Sequence, residues 1–357
     1  SLRGKFFAAG DGFWRNAVDP GFHLSHPEYP VMFSSFLGWS WRLAGVENAA
    51  VPQAVAYAFL LSLTGIVGAG IGLLRRASLA WMSIPVLLSP IVMMTVPASL
   101  YADLPMGTLS AAAAMALLLG IASSLDPRCF ALAGIFASLC AWMKEEGLLH
   151  LAVLGAVALA FAWLERRRDP RWWRPVAAFA ACAAPASLFF AWFRFAFVPD
   201  ASRFASEPGP RAAGGSLTGR LLDLSRYGEI ADQIWRMLAT IGGLLTHPLV
   251  FLVAVLLLLG IHRRRTKSFV FLAACATLAL LWAGYLASFM LLSARPGTVL
   301  AASLHRLWVH TWPLLVVVVF LLTKSPEDLA IPIPARLSRT ERKEAKAARG
   351  RSRKGEV

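Results

Sequence analysis

Residues 51–76 read VPQAVAYAFLLSLTGIVGAGIGLLRR, a long apolar run closed by Arg75 and Arg76. About 20 apolar residues cross the hydrocarbon core of a bilayer, and inside it only a helix or a closed barrel can satisfy its own backbone. A run this long and unbroken predicts a membrane-spanning helix over 51–74, with a basic exit. Eight further runs repeat the pattern, at 80–98, 104–123, 129–142, 147–164, 175–197, 236–261, 268–292 and 307–322, the fourth and the last of the nine being short. The expected fold class is all-α: a polytopic transmembrane helical bundle of about nine spans.

Composition agrees. The 357 residues are 57% hydrophobic and 15% charged, against roughly 25% charged in soluble domains. Mean hydropathy is +0.60, which excludes a soluble enzyme and a disordered chain. The net charge of +15 does not imply nucleic acid, because Lys and Arg fall in short clusters between apolar runs. Such clusters report membrane orientation. The four cysteines, Cys129, Cys140, Cys182 and Cys275, lie in or beside apolar runs without a CxxC spacing. They read as packing residues, not as a disulfide or zinc framework.

The basic clusters are Arg75/Arg76, Arg128, the group from Arg166 to Arg174, the group from Arg263 to Lys267, and the tail from Lys324. Two spans separate each cluster from the next, so all of them fall on one side, the cytoplasmic one by the positive-inside rule. The remaining turnarounds then share the opposite compartment: 1–50, 99–103, 143–147, 199–235 and 293–306. The first of these lies outside with no span before it, and the sequence opens at Ser1 without Met or signal-peptide pattern. A helix before Ser1 is therefore expected, giving about ten spans in the intact protein. Three regions follow: an extracytoplasmic arm with an interfacial helix at 1–50, a transmembrane domain at 51–322 with an outer loop at 199–235, and a basic cytoplasmic tail at 323–357, solvated or resting on anionic lipid.

The outer turnarounds hold the polar signatures. His26-Pro27-Glu28-Tyr29-Pro30 is a stiff turn, because each proline fixes its own φ and disfavours helix at the residue before it. It either anchors the chain at the interface or holds His26, Glu28 and Tyr29 toward a site. Tyr101-Ala102-Asp103 stands at a helix start, where Asp103 can cap the helix or contact an acceptor or a metal ion. Lys144-Glu145-Glu146-Gly147 is wedged between two spans. Three charges in mid-membrane would each cost about 2.5 to 3.5 kcal/mol, so a turn is expected, with Gly147 at the break. Lys144 then either pairs internally with a glutamate or meets a phosphate headgroup. His305-Arg306 and Trp312-Pro313 enter the last span, with His310 one turn deeper on the face of Arg306. His150 and His247 fall inside spans and read as packed residues.

Taken together these motifs resemble the GT-C class of membrane glycosyltransferases, in its bacterial branch related to protein mannosyltransferases, aminoarabinose transferase and the galacturonosyltransferases of lipopolysaccharide core. The resemblance covers roughly residues 1–322 and rests on short motifs in matching order. It implies transfer of a sugar from a polyprenyl-phosphate donor to an extracytoplasmic acceptor, with inversion, at the outer face of a bacterial inner membrane. Lys144 and Arg306 are the expected phosphate-binding residues, Asp103 and Tyr101 the acceptor or metal contacts, and His26, Glu28, Tyr29 and Glu146 the pocket. A divalent cation is the one candidate cofactor. The expected partners are the lipid-linked sugar, the acceptor and membrane lipids, with no nucleic acid. Family members carry a catalytic acid directly after their first span, a position expected upstream of Ser1; Asp11 and Asp19 do not match it, and the fragment is expected to lack the catalytic carboxylate. The competing expectation is a transporter or lipid flippase, which predicts ionisable residues near the midplane and broken helices in related halves.

Overall fold

The computed structural model describes residues 2–10, 12–19, 29–99, 101–197, 217–242, 247–291 and 296–329. Its described residues form helices and no strand beyond one isolated bridge between Ile261 and Thr323. An arm of α1 (Leu2–Ala9), a 3-10 turn (Phe13–Val18) and α2 (Met32–Ala44) leads into α3 (Ala50–Leu74), α4 (Ala77–Leu88), α5 (Ile91–Ser99), α6 (Asp103–Ala122), α7 (Pro127–Met143), α8 (Glu146–Leu164) and α9 (Trp173–Phe197). Then follow α10 (Leu217–Leu222), α11 (Leu224–Thr240), α12 (Pro248–Leu259), α13 (Phe269–Leu291), α14 (Pro296–Leu322) and the short α15 (Pro326–Leu329).

Six of these segments are long and apolar enough to cross a membrane: α3, α6, α8, α9, α13 and residues 303–322 of α14. Three shorter apolar helices, α4, α7 and α12, complete the set that the hydropathy runs anticipate. The nine runs thus all fall on helices, although nine full spans are more than the helix lengths support. Two runs divide. Residues 80–98 break at Ser89-Pro90 between α4 and α5, and 236–261 breaks ahead of His247-Pro248, where proline at the first helical position starts α12. The expected loop at 199–235 is helical over its described residues except at Asp223, the cap between α10 and α11, most of which lies within it.

α6 and α14 form the centre. Each has 78% of its apolar window buried, against 22% for α9. α6 is built for this position by Gly107, Ser110 and the run Ala111–Ala114, small residues that let neighbouring backbones approach closely in a bundle without a hydrophobic driving force. Gly134 on α7 does the same against α9: a Cβ there would stand 2.2 Å from the Phe179 carbonyl oxygen. Gly134→Val is therefore expected to force the two helices apart and cost at least about 1 to 3 kcal/mol, the usual range for overpacking. Thermal unfolding in detergent reads this as a lowered midpoint, and an unchanged midpoint would contradict the packing.

The basic end of the bundle is latched by main-chain carbonyls. Arg75, just past α3, donates to the Leu321 carbonyl and, at 2.7 Å, to that of Thr323, both at the C-terminus of α14. Burial, with repulsion from Arg265 added, lowers its guanidinium to about 10, so it stays charged at neutral pH. A cation suits that position because the helix C-terminus carries free carbonyls and negative partial charge. Beyond it Ser325 and Asp328 cap each other reciprocally, at 2.9 and 3.2 Å. Hydrogen bonds from the Ser325 backbone and side chain hold the Asp328 carboxyl below its usual range. Of the basic tail, residues 330–357 lie outside the described residues.

Candidate functional site

Asp103 opens α6 at the opposite end of the bundle, and it does not cap the helix. The N-cap is Ala102, and the Asp103 side chain turns inward and is fully buried. Both carboxylate oxygens are occupied. Oδ1 accepts from Lys144 Nζ at 2.9 Å and lies 3.1 Å from His310 Nε2; Oδ2 accepts from Arg306 Nε at 2.9 Å. Two helices and one tight turn meet on a single carboxylate. Antiparallel order makes this possible: α6 begins here, α7 ends here, α8 begins again, and α14 passes through on its way to the basic end.

The turn between α7 and α8 supplies Lys144, which is buried and extended in backbone. Its ammonium also donates to Glu146 Oε1 at 2.8 Å. Lys144 thus has both carboxylates as partners, and the internal Lys–Glu pair anticipated for this turn is only half of its environment. Glu145 points elsewhere and pairs with Arg194 of α9 at 2.5 Å. Gly147 permits the turn for a reason other than an unusual dihedral. A Cβ on it would fall 1.9 Å from the Cys140 carbonyl oxygen, so the end of α7 lies directly on the start of α8.

On α14, Arg306 and His310 share a face, as their spacing predicts, and both reach Asp103. The Arg306 guanidinium also stands over the Tyr101 ring, 5.0 Å from its centroid. Because Arg306 approaches Asp103 through Nε, its two terminal nitrogens make no protein hydrogen bond among the described residues, and a third of its side chain is exposed. Lys144 and Arg306 against Asp103 and Glu146 make the centre neutral overall, with two cations aimed at one point.

A divalent metal fits Asp103 poorly. Its oxygens already face an ammonium, a guanidinium and an imidazole, and a second cation there would be repelled. Among the described residues no group of three or more His, Cys, Asp or Glu side chains is placed to hold a metal ion.

Behind the carboxylate lies a chain of polar side chains that sequence reasoning missed. His310 Nδ1 is 3.2 Å from Tyr285 Oη on α13, Tyr285 Oη is 2.7 Å from His150 Nε2 on α8, and His150 Nδ1 is 2.5 Å from Ser110 Oγ on α6. All four residues are buried. The expectation that His150 is merely packed is therefore corrected: it is doubly hydrogen-bonded within this network. His247 caps α12, accepting from Leu249 N at 3.3 Å while its Nε2 meets the Leu238 carbonyl at 2.5 Å. The only sequence signal for the chain was that His150 and Tyr285 are polar residues inside apolar runs.

Of the other expected pocket residues, His26 and Glu28 lie outside the described residues. Tyr29 is tied through its carbonyl to Arg3, at 2.9 Å. Arg3 also donates to Ala17 O at 2.9 Å, so α1 pins both ends of the segment 17–29.

Fold and site together define an α-helical integral membrane protein with a buried, charge-balanced centre at the end opposite its basic loops. No family model matches the chain, and no curated protein matches it. Among solved structures, the chain is similar to the crystal structure of ArnT from Cupriavidus metallidurans bound to undecaprenyl phosphate, at a TM-score of 0.47 and 14% identity over 89% of this chain and 53% of that one. The apo form of the same protein gives a TM-score of 0.41 and 14% identity over 89% and 69%. The chain spans about half the length of the first of these structures.

Proposed function

We propose that this chain is part of a membrane glycosyltransferase that moves one sugar from a polyprenyl-phosphate donor to an acceptor outside the cytoplasm, with inversion at the anomeric carbon. The observation that carries the reading is the fork of Arg306, whose terminal nitrogens make no protein hydrogen bond among the described residues, beside buried Lys144, two cations held on one point by Asp103. A lipid-linked sugar phosphate is a monoanion whose phosphate gains negative charge as the glycosidic bond breaks, while positive charge develops on the sugar ring. Cations oriented in advance in a water-poor site favour that redistribution more than they favour the bound ground state. A planar guanidinium presents paired donors to phosphate oxygens, and an ammonium adds a compact charge.

In this scheme Asp103 is the residue that keeps both cations aimed, and Glu146, one-third exposed, shares Lys144 at the mouth. Tyr101 supports the Arg306 plane from beneath.

The test is transfer from a labelled polyprenyl-phosphate sugar by the whole purified protein in lipid nanodiscs. Removing one preorganised donor to developing charge typically lowers turnover about 10²- to 10³-fold, and this is the expected result for Arg306→Ala and Lys144→Ala. Arg306→Lys keeps the charge but loses the fork, and should fall between Ala and wild type. Unchanged turnover in both Ala variants would remove the phosphate assignment.

A further inference from the structure

The polar chain behind Asp103 has a direction, and the direction follows from donor counting. Asp103 is held by an ammonium and a guanidinium and offers only acceptors, so the nitrogen facing it, His310 Nε2, carries a proton. A neutral imidazole then has a bare Nδ1, which takes the single Tyr285 hydroxyl proton across 3.2 Å. With that proton committed, the Tyr285 oxygen must accept from His150 Nε2–H at 2.7 Å, and His150 Nδ1 must accept from the Ser110 hydroxyl at 2.5 Å. Every proton is assigned without a charged imidazole and without an orphaned atom. Burial enforces the arrangement, because an unpaired polar group in this interior costs about 1 to 3 kcal/mol.

The chain runs inward from the site. Ser110 is seven residues along α6 from Asp103, about 10 Å at 1.5 Å per residue. It engages helices α6, α8, α13 and α14, none of which could supply the whole set. Neither the phosphate-binding role of Lys144 and Arg306 nor the acceptor contacts require these four side chains.

We infer that Tyr285 and His150 are positioning residues that anchor His310 from its Nδ1 side in the Nε2–H tautomer that Asp103 selects, so that the ring stays in place and donates to the carboxylate on which Lys144 and Arg306 are aimed. The catalytic consequence rests on the glycosyl-transfer reading; the tautomer does not. Tyr285→Phe removes one hydroxyl with little change of shape. It leaves His310 Nδ1 without the hydrogen bond that anchors the ring, while Asp103 still holds the proton on Nε2.

Nitrogen-15 NMR of the histidine-labelled whole protein in nanodiscs tests the anchor, with His310 assigned by comparison with His310→Gln. The expected wild-type result is neutral Nε2–H for both His150 and His310, and Tyr285→Phe should move the His310 Nδ1 resonance toward that of a lone pair without a hydrogen bond. An Nδ1–H or doubly protonated His310 in the wild type, or a His310 signal unmoved by Tyr285→Phe, would overturn the inference; the wild-type spectrum decides even if the variant does not fold. In the transfer assay, loss of such a supporting hydrogen bond should lower turnover about 10- to 100-fold, with the KM for the lipid donor changed less than turnover. A glutamine at 310 has a permanent N–H donor and no ring nitrogen for Tyr285 to anchor, so Tyr285→Phe should cost little in a His310→Gln background. Equal losses in both backgrounds would mark Tyr285 as merely structural and overturn the inference. A wild type without transfer activity but with the expected tautomers would remove the glycosyl-transfer reading and leave the anchor standing.

Discussion

Asp103→Ala is expected to cost the protein about 3 to 5 kcal/mol of stability, the range found when one partner of a buried ion pair is removed. The reason is the environment left behind. Lys144 is buried, Arg306 is mostly so, and both lose their common counter-ion, while His310 loses the acceptor for its Nε2–H. Glu146 can hold Lys144 but not Arg306 as well, so one charge remains uncompensated in a low-dielectric interior. Asp103→Asn should fall between, because it keeps the shape but turns an amide N–H₂ toward donors. Denaturant unfolding in detergent measures the difference. A partial rescue of Asp103→Ala by Lys144→Met would show that the stranded cation, and not the cavity, carries the cost. If Asp103→Ala unfolded within about 1 kcal/mol of wild type, the charged centre would not be a structural element at all.

Gly147→Leu is expected to destabilise the protein as well, through sterics alone. At this residue the α7 and α8 backbones touch, with the virtual Cβ 1.9 Å from one carbonyl oxygen and 2.6 Å from the Ala141 nitrogen. Neither neighbour is a side chain that can swing away, so the helix ends must part. Overpacking of this kind costs about 1 to 3 kcal/mol and occasionally more, and the displacement lands on Lys144, three residues back, which hydrogen-bonds the Gly147 N–H through its carbonyl at 2.9 Å. Both stability and the proposed sugar transfer should therefore fall together, although Gly147 has no side chain to bring to the site. Retained transfer in Gly147→Leu would mean that the turn tolerates movement and that Lys144 is not held by it.

The alternation of basic loops reached further than a hydropathy reading usually does. It assigned Tyr101, Asp103, Lys144, Glu146 and Arg306 to one end of the bundle, and they do meet there, within hydrogen-bonding or ring-contact distance. That inference needed only the spacing of charges along the chain, because a membrane forces successive spans to reverse. Spacing could not reveal that both expected phosphate ligands rest on Asp103, or that Glu145 turns away to Arg194. Nor could it connect Ser110, His150, Tyr285 and His310, which lie up to 200 residues apart in the chain. Such contacts depend on the rotation of each helix about its own axis, and uniformly apolar helices carry little amphipathic signal to reveal it.

What the sequence determined alone was the all-helical membrane class, the apolar segments and the end of the bundle at which the polar motifs gather. Each follows from a one-dimensional constraint: a bilayer of fixed thickness, a backbone that must bond to itself and charges that resist translocation. Only the tertiary structure decided which charges pair, that Asp103 is the hub they share, and that four buried side chains align behind it. Those outcomes depend on helix rotation and close backbone approach, set by small residues such as Gly134 and Gly147, whose effect is felt only against a neighbour distant in sequence or across a turn.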